Sequence, residues 1–585
     1  MTIDRLLAGY RDGSLDPVAV VGRAHAAARD ASQPSWISLL PWEEVRRRLD
    51  ALAAGPIDLP LYGIPFGIKD NIDLAGLPTT AGCPAFATVA TESATVVRRL
   101  EAAGAIPLGK TNMDQFATGL VGTRSPYGAC ASVADARYVS GGSSSGSAVV
   151  VADGTVPFAL GTDTAGSGRV PAAFNGIVGV KPSLGLISTR GTVPACRSLD
   201  CVSVFTTTVA DAERVLEVAA GVDPDDPFSR PRPATERPVR DVPRVGLPRA
   251  GQLRFFGDLD AEAAWRAATE QAHERGWELV EVDLDPFTEA AALLYEGPWL
   301  AERYVAVGDF IHEHLADADP VVADVILSGR GATAADAFRA LHRLAELRHV
   351  SGRAFAELDA LLLPTAPTIY THAEVAEAPI LRNSVLGTYT NFVNLLDLCA
   401  IAVPGPVRPD GLPFGVTLVA PWGADAALGA LAARWTGAPV DVPAPTSAPP
   451  PEALVAVVGA HLTGEPLNHQ LTELGAALAE TTRTAPTYRL FALPDTEPAK
   501  PGLVGGHPPQ GDGVEVELWR IAPADLGRLL VQVPAPLAIG TVVLADGRAV
   551  LGFLCEAAAT AGARDITAHG GWRAWRAAEG GAVAR

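Results

Sequence analysis

The chain has 585 residues, of which 48% are hydrophobic and 19% are charged, a composition typical of a globular protein with sizeable buried cores. Its formal net charge of −20 argues against nucleic acid or an anionic membrane surface as a partner. No segment approaches the roughly 18 apolar residues that a membrane-spanning helix needs. The first residues lack an apolar secretion core, and the cysteines show no CxxC spacing, so we expect a cytoplasmic protein with reduced thiols.

The elements expected along the chain fall into two domains. Residues 1–60 show helical spacing, and residues 61–210 alternate short apolar runs with glycine-rich turns and helical stretches, which is typical of an α/β domain with a mixed sheet. Residues 258–360 are expected to be mostly helical, with a buried strand following at 360–363. We place the first domain at 1–439, a Pro- and Ala-rich linker at 440–452 and a small β-rich domain at 453–585. The apolar runs used for the first domain are Ala105–Leu108, Ala148–Val151 and Ile177–Val180.

Lysine is rare in this chain. Only four of the 46 basic residues are lysines, and arginine fills nearly every other cationic position. Because a guanidinium stays protonated in proteins, a retained lysine is a candidate for work that requires the loss of a proton. Lys500 lies in a Pro-rich segment, and we interpret its retention as chance. The other three lysines are Lys69, Lys110 and Lys181.

Two short motifs match known patterns without the context that those patterns need. Gly104–Thr111 satisfies the Walker A pattern, but a helical pattern precedes it, its variable residues are apolar and Pro107 lacks an amide donor. Residues 142–146 form a G-x-S-x-G motif that would make Ser144 a nucleophile. No buried strand is expected before that motif, and no histidine after it has the context of a triad base. We therefore expect neither a nucleotide site nor a nucleophile elbow.

Three glycine-rich segments together predict an activated serine. They surround Lys69 at 67–71, Ser143 at 141–147 and Ser167 at 161–169. Glycines permit close backbone approach, and successive amides at 164–167 suit an oxyanion. No histidine is nearby in the sequence, so the base would be a buried lysine, whose pKa burial must lower from about 10.4 to about 7. Tight turns with surface serines would explain any one segment, but not all three.

These segments resemble the amidase signature family over roughly residues 1–435. The resemblance implies a mixed β-sheet core surrounded by helices and a Ser–cis-Ser–Lys triad formed by Ser167, Ser143 and Lys69, with Ser143 following a cis peptide bond. It also implies that amides of the oxyanion loop stabilise the reaction intermediate and that the loop has structural supports. The implied oxyanion residues are Thr164, Ala165 and Gly166, and the implied supports are Asp163 and Arg169.

Ser145 and Ala165 stand where the family usually has glycine, and both differences resemble the allophanate hydrolase branch. The segment 294–304 (LYEGPWLAERY) carries the same resemblance, as do 114–119 and 194–201. By this resemblance Tyr295, Arg303 and Gly119 bind a small anionic amide. Tyr295 and Arg303 lie eight residues apart, so we expect them on one helix face. The pattern alone favours an amphipathic helix with a snorkelling arginine, and the resemblance favours the anchoring role. Cys196 and Cys201 are expected to pack beside the site, without a redox role.

The second domain opens with a segment, 455–468, that resembles the first strand and turn of γ-glutamylcyclotransferase-like domains. Its usual Tyr-Gly pair is replaced by Val458 and Gly459, which puts the original activity in doubt. In allophanate hydrolases this domain is associated with decarboxylation of N-carboxycarbamate. The acid/base candidates are His461, Glu556 and His569. An oligomerisation or docking module is the alternative.

The resemblance implies hydrolysis of allophanate to ammonia and carbon dioxide, the second step of urea degradation, without metal or cofactor. It also implies a homodimer and coupling to a urea carboxylase. Two alternatives remain open from the sequence. One is an amidase with broader specificity for neutral amides, and the other is a non-catalytic amidase-like component of a larger assembly.

Overall fold

A computed structural model describes residues 2–233, 238–437, 453–494 and 496–580. The chain divides into two compact units, residues 1–441 and 442–585. The linker predicted at 440–452 lies outside the described residues.

Capped helices make up much of the N-terminal unit. Asp16 accepts hydrogen bonds from two backbone amides, and Pro17 occupies the first turn, where a missing N–H is tolerated. Thr333 and Asp336 form a capping box at the start of a 21-residue helix. In the described parts of the chain, none of the helices combines the length and the apolar character that crossing a membrane requires. The helices are α1 (Ile3–Asp12), α2 (Pro17–Arg29), α3 (Trp42–Ala53), α4 (Thr95–Ala102), α5 (Ser145–Ala152), α6 (Val170–Phe174), α7 (Val209–Ala219), α8 (Leu259–Glu274), α9 (Asp285–Glu296), α10 (Trp299–Glu313), α11 (Pro320–Ser328), α12 (Ala334–Ala354), α13 (His372–Glu377), α14 (Pro379–Leu386), α15 (Phe392–Leu395) and α16 (Asp425–Thr436).

Eleven strands form one sheet at the centre of this unit, and a separate hairpin joins β3 and β4. The strands are β1 (Trp36–Leu39), β2 (Pro65–Lys69), β3 (Pro78–Thr79), β4 (Thr88–Val89), β5 (Ile106–Thr111), β6 (Phe158–Asp163), β7 (Val178–Lys181), β8 (Cys201–Thr206), β9 (Arg244–Pro248), β10 (Glu278–Val282), β11 (Ala360–Pro364), β12 (Leu398–Pro404) and β13 (Gly415–Pro421). Their order in the sheet is β1-β5-β2-β6-β8-β7-β12-β13-β11-β9-β10. β2 runs parallel to both β5 and β6, whereas β6 runs antiparallel to β8. The mixed sheet expected from the sequence is therefore confirmed.

The central strands are buried on both faces. Every residue of β2 and β6 is buried, as expected for strands covered on two sides. Phe66 near the start of β2 lies directly opposite Phe158 at the start of β6, and their rings stack with centroids 4.9 Å apart. Neither ring is exposed to solvent. This aromatic pair fixes two neighbouring strands whose opposite ends carry polar side chains.

Two expectations about local structure were wrong. The apolar run Ala148–Val151 belongs to the helix α5, because a buried run without polar alternation does not distinguish a strand from a helix. Within residues 1–60, expected to be helical, Trp36–Leu39 form the edge strand β1.

The C-terminal unit is β-rich, as the sequence predicts. It contains a five-stranded sheet in the order β15-β18-β14-β20-β19 and a three-stranded sheet in the order β17-β16-β21. Three short helices accompany these sheets. The elements are β14 (Ala453–Val457), α17 (His469–Thr472), β15 (Ala477–Arg483), β16 (Arg489–Ala492), β17 (Pro501–Val504), β18 (Glu515–Ile521), α18 (Pro523–Leu530), β19 (Leu537–Val543), β20 (Ala549–Cys555), β21 (Arg564–Asp565) and α19 (Trp572–Gly580).

Removing one ring of the aromatic pair should destabilise the N-terminal unit. We expect Phe158→Ala to lower the free energy of unfolding by about 3–5 kcal/mol, the usual result of leaving a cavity where a buried aromatic stood. Urea denaturation followed by tryptophan fluorescence would measure the change. Phe338→Ala is the matched control, since that side chain is 62% exposed on α12, and we expect a change below about 0.5 kcal/mol. Equal effects in the two variants would contradict the structural importance of the pair.

Candidate functional site

A continuous chain of hydrogen bonds joins one lysine and two serines in the interior of the N-terminal unit. Lys69 Nζ donates to Ser143 Oγ over 2.8 Å, and Ser143 Oγ donates to Ser167 Oγ over 3.0 Å. Lys69 and Ser143 are fully buried, and Ser167 is 3% exposed. The three side chains that the sequence singled out therefore lie within direct hydrogen-bond distance of one another.

The sheet brings these residues together. Lys69 is the last residue of β2, and the loop with Ser167 follows directly after β6. Because these neighbouring strands are parallel, their carboxyl ends lie at the same edge of the sheet. Ser143 precedes α5, the helix that leads into β6.

Burial tunes Lys69 for proton transfer. Loss of hydration, together with a smaller contribution from the positive charge of Arg303, lowers the pKa of Lys69 to about 7. Three buried carboxyl groups oppose this shift, those of Asp114, Asp163 and Asp200. A lysine with a pKa near 7 is partly neutral at physiological pH and can accept a proton from the serine pair.

Thr162 is a site residue that the sequence did not single out. Its Oγ1 accepts a hydrogen bond from Lys69 Nζ over 2.8 Å and another from Asn71 Nδ2 over 3.3 Å. Thr162 is the penultimate residue of β6, so alternation along the strand places it one position before Asp163 and on the opposite face. Only the assignment of β6 as a strand ending beside β2 could have revealed it.

The oxyanion loop follows β6 and offers open backbone donors. The amides of Thr164, Ala165 and Ser167 have no hydrogen-bond partner among the described residues. The amide of Gly166, also expected to face an oxyanion, instead donates to Asp163 Oδ1 over 2.9 Å. A Cβ at Gly166 would clash with the side chain of Thr390, so only glycine fits this position.

A buried ion pair fixes this loop from below. Arg169 Nε and Nη2 each donate to a different oxygen of Asp163 over 2.9 Å. Although burial raises the pKa of Asp163, the nearby guanidinium holds it below the ordinary value. Thr390 Oγ1 donates to the Ala165 carbonyl, and Asn394 Nδ2 donates to the Asp163 carbonyl. These contacts agree with the supporting role that the family resemblance implies for Asp163 and Arg169.

The segment before α5 is held against Asp114. The peptide bond between Gly142 and Ser143 is cis. The Ser143 carbonyl accepts a hydrogen bond from the Asp114 amide over 3.0 Å. Side chains at Gly142 or at Gly119 would collide with the Asp114 carboxylate. Both glycines are therefore required by close packing around one buried acid.

Tyr295 and Arg303 meet, although they do not share one helix. Tyr295 lies on α9 and Arg303 on α10, and the helix is interrupted at Gly297 and Pro298, where proline lacks the N–H that would continue it. Arg303 is 1% exposed; it donates to Thr118 Oγ1 over 3.1 Å and to the Tyr295 hydroxyl over 3.4 Å. The expectation of one continuous helix face was wrong, but the two side chains are brought together across the break.

The two misleading motifs have structural explanations. Lys110 of the Walker-like segment lies in β5 and forms a fully buried ion pair with Asp70 over 3.3 Å. Ser144 Oγ donates to the Thr162 carbonyl over 3.1 Å. Each polar group is thus held by the fold.

The three candidates of the C-terminal unit differ in their burial. His461 lines a small, solvent-open cavity together with Lys500 and Phe553. Its Nε2 hydrogen-bonds Gln470 Oε1 over 2.8 Å, its ring stacks on Phe553, and burial lowers its pKa. Glu556 and His569 are exposed and do not line this cavity. Lys500, whose retention the sequence suggested was chance, therefore shares a cavity with the strongest of the three candidates.

Comparison with known families divides the chain as its two units suggest. Residues 40–428 match the amidase family, and residues 453–577 match the family described as the allophanate hydrolase C-terminal domain.

Similar proteins extend over nearly the whole chain. The structure of Kluyveromyces lactis allophanate hydrolase superposes with a TM-score of 0.73 at 38% identity, covering 98% of each chain. The urea amidolyase of Lachancea kluyveri is 42% identical over 92% of this chain, which spans only 31% of that relative's length. The urea amidolyase of Saccharomyces cerevisiae is 41% identical, again over 92% of this chain and 31% of its own length.

The pKa of Lys69 predicts how the reactivity of Ser167 depends on pH. A fluorophosphonate probe should label Ser167 slowly at pH 5.5 and faster as the pH rises, with a midpoint at about 7, because only neutral Lys69 can accept the proton. Mass spectrometry of the labelled peptide measures the rate.

Lys69→Arg is the matched control, because it keeps the positive charge and does not lose its proton. We expect it to label at least about 100-fold more slowly at pH 8. Equal labelling of this variant and the wild type, or a flat profile between pH 5 and 9, would contradict the role of Lys69 as base.

Proposed function

This chain belongs to the amidase family, and from that premise we propose that it hydrolyses allophanate (urea-1-carboxylate) to ammonia and carbon dioxide. In this proposal Ser167 is the nucleophile, Ser143 relays the proton and Lys69 is the base. The match to two domain families and the similarity to an allophanate hydrolase along both units support the substrate assignment.

One observation carries the choice of an anionic substrate. Arg303 is a buried cation that has no carboxylate within ion-pair distance among the described residues, and its Nε has no hydrogen-bond partner there. Burying a charge without a counter-charge is costly, so such a group is typical of a site completed by a ligand. A substrate carboxylate would provide that counter-charge through paired hydrogen bonds. The overall charge of −20 makes a local cation necessary for holding an anion.

The first half-reaction forms a carbonyl-enzyme. Ser167 Oγ attacks the terminal amide carbonyl while its proton passes to Ser143 and a proton of Ser143 passes to Lys69. The open amides of Thr164, Ala165 and Ser167 stabilise the negative oxygen of the tetrahedral intermediate. The C–N bond then breaks, the relay returns a proton to the nitrogen, and ammonia leaves.

The second half-reaction restores the enzyme. Water attacks the carbonyl carbon bound to Ser167, gives a proton to the same relay and releases N-carboxycarbamate. In sum, allophanate and water yield ammonia, N-carboxycarbamate and one proton. N-carboxycarbamate then takes up two protons and breaks down to two carbon dioxide molecules and one further ammonia, which completes the reaction.

Allophanate compared with neutral amides provides the test. We expect wild-type enzyme to release ammonia from allophanate faster than from biuret or malonamide, and Ser167→Ala to release none. Arg303→Ala should lower kcat/KM for allophanate by about 100-fold, the effect of losing charge-assisted bonds, and change that for malonamide by less than about threefold. Arg303→Lys keeps the charge without the planar fork and should fall between the two.

The outcomes separate the alternatives. Faster turnover of neutral amides, with Arg303→Ala indistinguishable from wild type, would favour an amidase of broader specificity. Ammonia release no higher than in Ser167→Ala would favour a non-catalytic role in a larger assembly.

For the C-terminal unit we propose decarboxylation of N-carboxycarbamate, with His461 as acid/base. The support is a cavity in which Gln470 and Phe553 hold the ring of His461, with a cation, Lys500, available for the dianion. An oligomerisation module would not need a histidine and a lysine that line one cavity. Because this chain matches 31% of the length of a urea amidolyase, we also propose that its reaction is coupled to that of a urea carboxylase.

Changes in the cavity should separate the two chemical steps. With carbon-13-labelled allophanate, we expect His461→Ala and Lys500→Ala to release the first ammonia at the wild-type rate and to accumulate N-carboxycarbamate, visible by NMR within the first turnovers. His469→Ala, an exposed histidine outside the cavity, is the matched control. Identical time courses for all three variants would contradict a catalytic role for this cavity.

A further inference from the structure

Asp200 is a buried acid that lies beside the oxyanion loop. It is 7% exposed and precedes β8, whose first residue, Cys201, pairs with Asp163 at the end of β6. Thr164 Oγ1 donates a hydrogen bond to Asp200 Oδ1. Thr164, the first residue of the oxyanion loop, is therefore held by the carboxylate of Asp200, which directly precedes the neighbouring strand β8.

The same carboxylate organises the loop that precedes β8. The amide of Ala195 donates to Asp200 Oδ2 over 2.8 Å, and the amide of Cys196 donates to Oδ1 over 3.2 Å. With Thr164, three donors converge on the two carboxylate oxygens. Three hydrogen bonds to one buried carboxylate fix its orientation, and they hold both of the segments that it contacts.

The loop organised by Asp200 also contacts the helix that carries Arg303. Cys196 Sγ lies 3.6 Å from the Trp299 carbonyl. The backbone amide and hydroxyl of Ser198 donate to the two carboxylate oxygens of Glu302, each over 2.7 Å. Trp299 and Glu302 both belong to α10. A chain of contacts thus runs from Thr164 through Asp200 to the helix of the proposed substrate anchor.

We propose that Asp200 is a positioning residue, which sets the oxyanion loop at Thr164 and couples its position to that of α10. The inference rests on the proposed function, since it assigns the loop to the stabilisation of an oxyanion. Asp200 acts through Thr164 and the 195–199 loop, without contact with the substrate.

The charge of Asp200 also affects the pKa of Lys69. Burial raises the pKa of Asp200, and its hydrogen-bond donors and Arg303 partly oppose that rise. The resulting pKa is about 6. The charged groups that act on Lys69 are Asp114, Asp163, Asp200 and Arg303. Removing the Asp200 charge would leave Lys69 with less negative surroundings, so the pKa of Lys69 would fall.

Asp200→Asn is the decisive variant. An asparagine offers one acceptor oxygen where the carboxylate offers two, so at least one of the three donors loses its partner. We expect kcat for allophanate to fall by about 10- to 100-fold with KM within about threefold of wild type, because oxyanion donors act on the transition state. The acidic limb of the pH–rate profile should move to lower pH, a change that a purely structural role would not produce.

A matched control removes a buried carboxylate elsewhere. Asp211 is 1% exposed and accepts a hydrogen bond from the Ile3 amide. We expect Asp211→Asn to lower thermal stability while leaving kcat and the pH profile unchanged. Equal losses of kcat in the two variants, or an unshifted profile for Asp200→Asn, would overturn the proposal.

Thr164→Val tests the route through Thr164 even where Asp200→Asn folds poorly, and a double-mutant cycle tests it where both variants fold. Thr164→Val removes only the hydroxyl that Asp200 holds and should itself slow turnover by about tenfold. The combined variant should lose no more than the larger single loss, since both changes break one interaction. Losses that multiply would show that the two residues act independently.

A fluorophosphonate readout distinguishes this proposal from the proposed function. If wild-type enzyme labels at Ser167 and Asp200→Asn labels about tenfold more slowly, the positioning role stands even where allophanate is not hydrolysed. If allophanate is hydrolysed and labelling and turnover of Asp200→Asn match wild type, the positioning role fails and the proposed function stands.

Discussion

The hydrogen bond from Lys69 to Ser143 lies in an interior where neither partner has exposed surface, and the rest of the site depends on that burial. A hydrated lysine would hold its proton at any physiological pH and could not activate a serine. The interior lowers the pKa of Lys69 to about 7, and the surrounding carboxyl groups keep it from falling further. The large mixed sheet is what makes this environment possible, because it places Lys69 at the end of a strand buried on both faces.

The two buried arginines of the site illustrate opposite uses of one side chain. Arg169 is paired with both oxygens of Asp163, and this ion pair holds the oxyanion loop in place. Among the described residues, Arg303 donates hydrogen bonds to neutral oxygens alone, those of Thr118 and Tyr295. A fold that buries a cation without a counter-ion gives up stability, and that loss is recovered only when an anion binds. The difference between the two arginines separates a side chain that supports the site from the one that we propose binds the substrate.

The sequence predicted the serine–lysine constellation and the mixed sheet because both leave local signatures, glycine-rich segments and short apolar runs. It did not reveal Thr162 or Asp200, since their contacts join residues that only the pairing of β6 with β2 and β8 brings together. The break between α9 and α10 was visible at Pro298, yet the eight-residue spacing suggested one helix. Gly166 was expected to offer its amide, but a carboxylate three residues away competes for it. Local patterns therefore pointed to the candidate reacting groups, and long-range contacts decided how these side chains are held.

The scarcity of lysine has a consequence for experiments on the intact molecule. Lys69, Lys110 and Lys181 have no exposed surface, which leaves Lys500 as the only lysine side chain that reaches solvent. Amine-directed reagents, whether fluorescent esters or acylating groups, therefore have a single lysine to modify, and that lysine lines the cavity of the C-terminal unit. A dye attached there would report on that cavity. Because arginine replaces lysine at nearly all other cationic positions, an amine-directed reagent that modifies lysine is selective for Lys500.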